Sequence, residues 1–228
     1  MKPVTVSIIV PVLNEGALLE PFLTGLMSML QDGDELIVVD GGSDDDSAAI
    51  AMAVTGRCQY GASGRARQMN LGALQAKGDW LWFVHADSGV GPIHLARLRA
   101  VVPACLWGRF DVRLSGQRPL FRLVASMINL RSRLTGIATG DQAIFVRRSC
   151  FRELKGYPDQ PLMEDVALTA RLRRRHRPRC LRPPVVTSSR RWERRGAWRT
   201  IWQMWVLRFR YWRGADPARL FHEYYHDR

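Results

Sequence analysis

Residues 78–88, Gly-Asp-Trp-Leu-Trp-Phe-Val-His-Ala-Asp-Ser, constrain the fold of this chain more than any other stretch. An uninterrupted apolar run of strand length reads as a strand buried on both faces, which places it in an α/β sheet covered by helices. The run ends in His85 and Asp87, polar residues at alternate positions, so strand alternation predicts that both point the same way. In open α/β sheets, ligands bind in the crevice beyond the carboxyl ends of the strands. An imidazole and a carboxylate meeting there can hold a divalent metal, and such a metal commonly serves phosphate chemistry. Asp-Ser-Gly is equally ordinary turn chemistry.

The flanking segments repeat the theme. Residues 4–10 are β-branched and read as a first, central strand stopped by Pro11. Asn14-Glu15-Gly16 opens a helix whose Leu18, Leu19, Phe22, Leu23, Leu26, Met29 and Leu30 keep helical spacing. A strand over 35–39 ends in Asp40-Gly41-Gly42-Ser43, and Ser43 or Asp44 can cap the alanine-rich helix 47–54. Further helices are predicted over 63–77, 92–101, 120–134 and 165–175, and strands over 108–114, 143–146 and 184–187. Strand–helix alternation with short connections predicts a mostly parallel, Rossmann-like sheet with right-handed crossovers. We expect one α/β domain over 1–192 and a basic, aromatic helical extension over 193–228.

Charge narrows the partners. The net charge is +13, and only three of the 34 basic residues (Lys2, Lys77 and Lys155) are lysines. Arginine clusters favour phosphate groups and anionic surfaces, so a nucleotide diphosphate, an anionic lipid or a nucleic acid is admissible. The four cysteines (Cys58, Cys105, Cys150, Cys180) form no CxxC pair and read as scattered thiols of a reducing compartment. The N-terminal apolar run is too short and interrupted for a signal peptide or a spanning helix, so a cytoplasmic setting is expected.

Five polar groups can carry chemistry. Asp40, with Gly42 and Asp45 behind it, can bond the ribose or base of a nucleotide, or simply cap a turn. No GxGxxG follows the first strand, which argues against a dehydrogenase. Arg65 and Arg67, near a helix start in Gly-Arg-Ala-Arg-Gln68-Met-Asn, sit where the macrodipole already favours anions. His85 and Asp87 are the third group. Glu164-Asp165 before an apolar helix is ordinary N-terminal chemistry, and it also aims a carboxylate outward as a general base. Ser188-Ser189-Arg190-Arg191-Trp192 suits pyrophosphate binding or a basic surface.

Taken in order, Pro11-x-x-Asn14-Glu15, Asp40-Gly-Gly-Ser43-x-Asp45, His85-x-Asp87, Glu164-Asp165 and Arg190-Arg191-Trp192 resemble the inverting glycosyltransferases of family 2, which have the GT-A fold. The resemblance covers about residues 4–192. The Gly-Arg-Ala-x-Gln-Met-Asn, His-Ala-Asp and Ser-Arg-Arg-Trp stretches are similar to a bacterial subgroup of small, single-domain members. By position, the resemblance implies that Pro11, Asn14, Glu15, Asp40, Gly42, Asp45, Arg65, Gln68, Arg190 and Arg191 line the donor nucleotide. It implies that Asp87, with His85, binds a divalent metal (Mn²⁺ or Mg²⁺) bridging the diphosphate of a UDP- or GDP-sugar. Asp165 would deprotonate the acceptor hydroxyl, and Glu164 would position acceptor or base. The family's usual metal motif is Asp-x-Asp. Here His85 takes the first place, and imidazole suits Mn²⁺ better than Mg²⁺.

From Trp198 onward, tryptophans and arginines alternate around a predicted helix that is too basic to span a bilayer. Such a helix packs on its own domain, on a second copy of the chain in a homodimer, or on an anionic membrane surface at the inner face, with a lipid-linked acceptor fitting the last. Two other readings compete with sugar transfer. A nucleotidyltransferase would need a glycine-rich basic loop after the first strand, which Pro11–Glu15 lacks. An arginine-rich nucleic-acid-binding protein conflicts with carboxylates at the strand tips, which repel phosphate; no nucleic-acid partner is expected.

Overall fold

The computed structural model describes residues 4–190, 193 and 196–226. Among them a single eight-stranded sheet runs in the order β3-β2-β1-β4-β7-β6-β8-β5. Its strands are β1 (Val6–Val12), β2 (Glu35–Asp40), β3 (Gln59–Tyr60), β4 (Trp80–Phe83), β5 (Ser88–Gly89), β6 (Trp107–Leu114), β7 (Phe145–Arg147) and β8 (Arg179–Thr187). Pairing is parallel from β3 through β2 and β1 to β4, and again between β6 and β8. Strand β7 is antiparallel to both β4 and β6, and β5 is antiparallel to β8. The sheet is therefore mixed and mostly parallel, as the alternation of elements predicts.

Strand periodicity sorts the apolar side chains. Val6, Ile8, Val10 and Val12 of β1, with Trp80, Trp82 and Val84 around β4, join one core that also takes Leu19, Leu23 and Leu26 from α1 (Gly16–Met29). Ile9, Leu81 and Phe83 point the other way, into a second core with Ala66, Met69 and Ala73 of α3 (Arg65–Gln75). Both faces of the central strands are covered, which is why their sequences are apolar without alternation.

The remaining helices are α2 (Ser47–Thr55), α4 (Pro92–Val101), α5 (Pro119–Thr135), α6 (Arg148–Glu153), α7 (Glu164–Arg175), α8 (Ala197–Trp212) and α9 (Pro217–His226). The C-terminal pair packs on the start of α7: Leu207, Leu220 and Tyr224 form a cluster with Met163, flanked by Leu162 and Val166. Helix α8 also meets α5, where Ile201 and Ile128 pack against Leu114, Phe121 and Val124.

Three expectations are corrected. Pro11 does not stop β1, which runs to Val12 and pairs Pro11 with Val39 and Val12 with Asp40. The carbonyl of Ile9 accepts from Val84 just beyond β4, whereas that of Val12 accepts from Gly41 beyond β2. Alternation then turns Pro11, like Ile9, toward β4, where its missing N–H ends the β1–β4 pairing at Ile9 and Phe83 while the β2 side continues. Residues 179–183 extend the last strand ahead of Pro184, because β6 offers a parallel partner from Gly108 onward. Strand β4 ends at Phe83, so His85 and Asp87 lie in a turn in which the Ser88 N–H donates to the His85 carbonyl at 3.0 Å. They are brought together by that turn and not by strand alternation.

Candidate active site

Beyond the carboxyl ends of β1 and β2, two loops are laced together. The Asn14 N–H donates to Ser43 Oγ at 2.9 Å, and the Asp44 N–H donates back to Asn14 Oδ1 at 2.9 Å. The Glu15 N–H donates to Ser47 Oγ, and the Gly16 N–H to Asp45 Oδ2 at 3.0 Å, so Asp45 serves an orphan donor at the start of α1. The Ser47 side chain, then the Gly16 and Ser47 N–H groups, hydrogen-bond the Asp45 carboxyl and hold it below its ordinary pKa. Asn14 is in the left-handed region at φ 55°, which suits its short amide.

Asp40 is buried, and its carboxylate accepts from the N–H groups of Gly42 and Ser43 at 2.9 Å and from Ser43 Oγ at 2.5 Å. It shapes the loop that follows it, and Gly42 turns that loop at φ 89°. Gln68 is likewise buried and donates through Nε2 to the carbonyls of Val12 and Val39, tying the ends of β1 and β2 together. Pro11 lies buried inside β1.

Past these loops lies a cavity of ≈ 230 Å³ whose walls include Arg65, His85, Asp87, Glu164, Asp165 and Arg190. Residues from four separate regions of the sequence thus converge on one hollow. Arg67, next to Arg65 in sequence, turns away and pairs with Asp159 at 2.8 Å on the surface. Arg190 is exposed, its Nε donating to Ser188 Oγ at 3.0 Å. Arg191 and Trp192 lie outside the described residues.

Electrostatics tie the two ends of the hollow together. Burial, and then the charge of Asp87, raise the Glu15 carboxyl above its usual pKa, while Arg190 and Arg65 pull it down. Burial and then Arg65 hold the His85 imidazole below its usual value, so it is neutral at neutral pH. Burial first, and the neighbouring charge of Asp165 second, push the Glu164 carboxyl up to about 7. Burial opposes the Arg65 charge, but Tyr225, Glu164, Asp141 and Asp165 outweigh it and the net shift is upward.

Asp165 is fixed from two sides. Its Oδ2 accepts the Gly140 N–H at 2.7 Å, and its Oδ1 accepts the Val166 N–H at 2.6 Å. Gly140 is close to His85 as well: a Cβ there would lie 2.5 Å from Cε1 and 2.7 Å from Nε2. The other ring nitrogen, Nδ1, is 3.9 Å from Asp141 Oδ1.

Among the described residues, no group of three or more His, Cys, Asp and Glu side chains could hold a metal by itself. The Asp87 carboxylate beside a neutral imidazole still fits a hard divalent cation that takes its remaining ligands from phosphate oxygens and water.

Sequence reasoning overlooked Thr139, Gly140 and Asp141, which line the cavity between His85 and Asp165. The available signal was a Thr-Gly-Asp-Gln run just before β7, where Thr139 and Gln142 form a capping box. It also overlooked Arg208 and Tyr225 of the C-terminal helices, which close the far wall.

Residues 7–104 match the family model described as Glycosyl transferase family 2. No curated protein matches the chain. Among solved structures, the chain is similar to S. aureus TarS 1–349 in complex with UDP, with a TM-score of 0.64 and 19% identity over 81% of this chain and 60% of that one. It is similar to the mannosyltransferase PcManGT from Pyrobaculum calidifontis in complex with GDP-Man and Mn²⁺, with a TM-score of 0.59 and 22% identity over 80% of this chain and 56% of that one. Glucosyl-3-phosphoglycerate synthase from Mycobacterium tuberculosis, in complex with Mg²⁺ and UDP, gives a TM-score of 0.59 and 20% identity over 81% of this chain and 69% of that one. The chain thus spans 60% or less of the length of TarS and of the mannosyltransferase, and at these identities the likeness is one of fold. The chain has the GT-A fold, and its residues 7–104 match the model of glycosyl transferase family 2.

Proposed function

We propose that this protein transfers a sugar from a nucleotide-diphosphate donor to an acceptor hydroxyl, with inversion at the anomeric carbon. The observation that carries this reading is the convergence of Arg65, Asp87 and Arg190 with Asp165 around one cavity at the sheet's carboxyl edge, next to the laced β1 and β2 loops. Structural neighbours in complex with UDP, UDP-GlcNAc or GDP-Man support the donor class.

The mechanism follows from the side chains. The loops after β1 and β2, with Asn14, Glu15, Asp40, Gly42 and Asp45, take the nucleoside, and Arg65 and Arg190 face the charge that grows on the leaving diphosphate. Asp165, its oxygens oriented by the Gly140 and Val166 N–H groups, accepts the acceptor's hydroxyl proton. The freed oxygen forms the new bond to the anomeric carbon as the bond to the diphosphate breaks on the opposite face. Glu164 packs beside Asp165 and positions the acceptor. A divalent cation, held by Asp87 with His85 as second donor, would supply Lewis-acid charge to the leaving diphosphate. Neighbours in complex with Mn²⁺ or Mg²⁺ support that reading.

Thermal shift tests the donor reading. UDP or GDP should raise the melting temperature only with Mn²⁺ or Mg²⁺ present, and Asp87→Ala should abolish the effect. No shift with any nucleoside diphosphate would sink the proposal.

A second observation concerns location. Trp198, Trp202, Trp205, Phe209 and Trp212 form a stripe along α8 with 57–79% of their surface exposed. Leu123, Met127, Leu130 and Leu134 form a second exposed stripe on α5, which meets α8, 43–75% exposed. An apolar face this broad, flanked by arginines, fits the interface of an anionic bilayer with the helices lying in its plane. None of the described helices is long and apolar enough to cross a membrane. The opposite sides of the same helices, through Ile128, Met204 and Leu207, line the cavity, which places a lipid-borne hydroxyl within reach of the site. Co-sedimentation with phosphatidylglycerol vesicles, lost in a Trp202→Ser/Trp205→Ser double variant, is the expected result. Equal recovery of both proteins in the supernatant would remove the membrane from the reading.

A further inference from the structure

Two neighbouring arginines, one of them on the cavity wall, have buried guanidinium nitrogens with no hydrogen-bond partner among the described residues. Arg208 of α8 lines the hollow with Asp165 and Asp141, and its Nε is buried without a hydrogen bond. Arg131 of α5 has both Nε and Nη2 buried and unbonded. Neither forms an ion pair among the described residues, although other arginines of the molecule do so readily, as Arg109, Arg133 and Arg182 do with Asp111. The two belong to helices that meet at Ile128 and Ile201, and each guanidinium lies in the field of Asp165 without touching it. Burial, and then the charge of Arg208, bring Arg131 down to about 10.

Buried polar groups of native proteins are almost always hydrogen-bonded, and a buried charge without a counter-charge is strongly unfavourable. Two guanidinium groups within each other's field, with unused N–H donors, therefore describe half of an interaction. The missing half is an oxyanion, because the guanidinium fork matches phosphate and carboxylate geometry. Position decides whose oxyanion it is. Arg65 and Arg190 act on Glu15 on the nucleotide side, whereas Arg208 of α8 lines the cavity wall with Asp165, and Arg131 of α5 lies within the field of both.

We propose that Arg131 and Arg208 form an anion subsite for the acceptor, so that the acceptor carries a phosphate or carboxylate group near the hydroxyl that receives the sugar. The subsite rests on the donor reading above and adds the acceptor's chemical class. It aims the hydroxyl at Asp165 by anchoring the charged group on the far wall. It also makes the site self-selecting, since a neutral acceptor leaves both arginines uncompensated.

Calorimetric titration of the full-length protein with inorganic phosphate tests this, alone and with UDP and Mn²⁺ saturating. Phosphate should bind in both conditions, and Arg208→Gln and Arg131→Gln should each weaken it by about tenfold or more while leaving UDP binding intact. Arg131→Met should raise the melting temperature of the ligand-free protein, because it removes an uncompensated charge; an arginine with a purely structural role would lower it. If Arg131 variants do not fold, Arg208→Gln alone carries the test. Displacement of phosphate by UDP would assign the pair to the donor's diphosphate and overturn the proposal. Phosphate binding that survives both substitutions, or its absence at millimolar phosphate while UDP still binds, would also overturn it. Failure of UDP to bind overturns the donor reading instead, and phosphate binding that depends on the arginines would then still uphold the anion subsite.

Discussion

The backbone N–H of Gly140 donates to Asp165 Oδ2 at 2.7 Å, and the α-carbon of the same glycine faces the imidazole edge of His85. One residue without a side chain therefore sets the spacing between the turn after β4 and the start of α7. A methyl group at Gly140 would fall 2.5 Å from His85 Cε1, and the buried ring has little room to retreat. Gly140→Ala should cost about 1–3 kcal/mol by overpacking. It should also lower turnover more than nucleotide affinity, because Asp165 loses its tether. Urea denaturation and UDP titration on one preparation separate the two effects, and a variant of unchanged stability would show that the contact yields freely.

Asp165→Asn keeps the shape and one of the two backbone hydrogen bonds, since the amide NH2 cannot accept the other, and it removes the proton acceptor. Nucleotide binding should persist while transfer falls by about 10²–10⁴-fold. Loss of nucleotide binding in this variant would mean that Asp165 belongs to the donor site.

Glu164 makes stability depend on pH in a defined direction. Its carboxyl is raised from 4.5 to about 7 in the folded protein, so the folded state keeps a proton that the unfolded chain releases. The contribution is complete below the unfolded value and is lost as pH rises through about 7. Glu164→Gln imitates the protonated form. The variant should gain stability over the parent between about pH 5 and pH 8, and a pH-independent difference would contradict the burial of this carboxyl.

Asp111 is the acidic centre of three arginines, with contacts from Arg109, from Arg133 at 2.6 Å and from Arg182 at 3.0 Å. Burial alone would raise its pKa; the arginines outweigh burial and the net shift is downward. Asp111→Ala would strand the fully buried Arg109, and breaking such a buried pair from one side should cost about 3–5 kcal/mol. Guanidinium denaturation measures this directly. A loss below about 1 kcal/mol would show that the cluster is solvated and weak.

The sequence by itself determined the sheet-and-helix succession. The apolar runs of β1, β2 and β4 and the helical stripe of α1 are periodic signals carried by neighbouring residues, so they need no knowledge of distant contacts. It also marked Asp87, Arg65, Asp165 and Arg190, because charged residues directly after an apolar run or at a helix start stand out locally. The resemblance to family 2 was legible from the order of those signals, and the match over residues 7–104 agrees with it.

Tertiary structure decided what those residues do to one another. Pro11 continues β1 because its missing N–H falls on the β4 side while the β2 side keeps its pairing, and only the neighbouring strands define those sides. Asp40 and Gln68 turn inward to hold loops, since the carbonyls and N–H groups they satisfy lie up to 56 residues away in sequence. Arg131 and Arg208 gave no local signal, and for Gly140 there was only the turn signal of the run around it. Their importance lies in a missing Cβ against His85 and in missing partners for two guanidinium groups, and both are defined only once α5, α7, α8 and the turn after β4 meet.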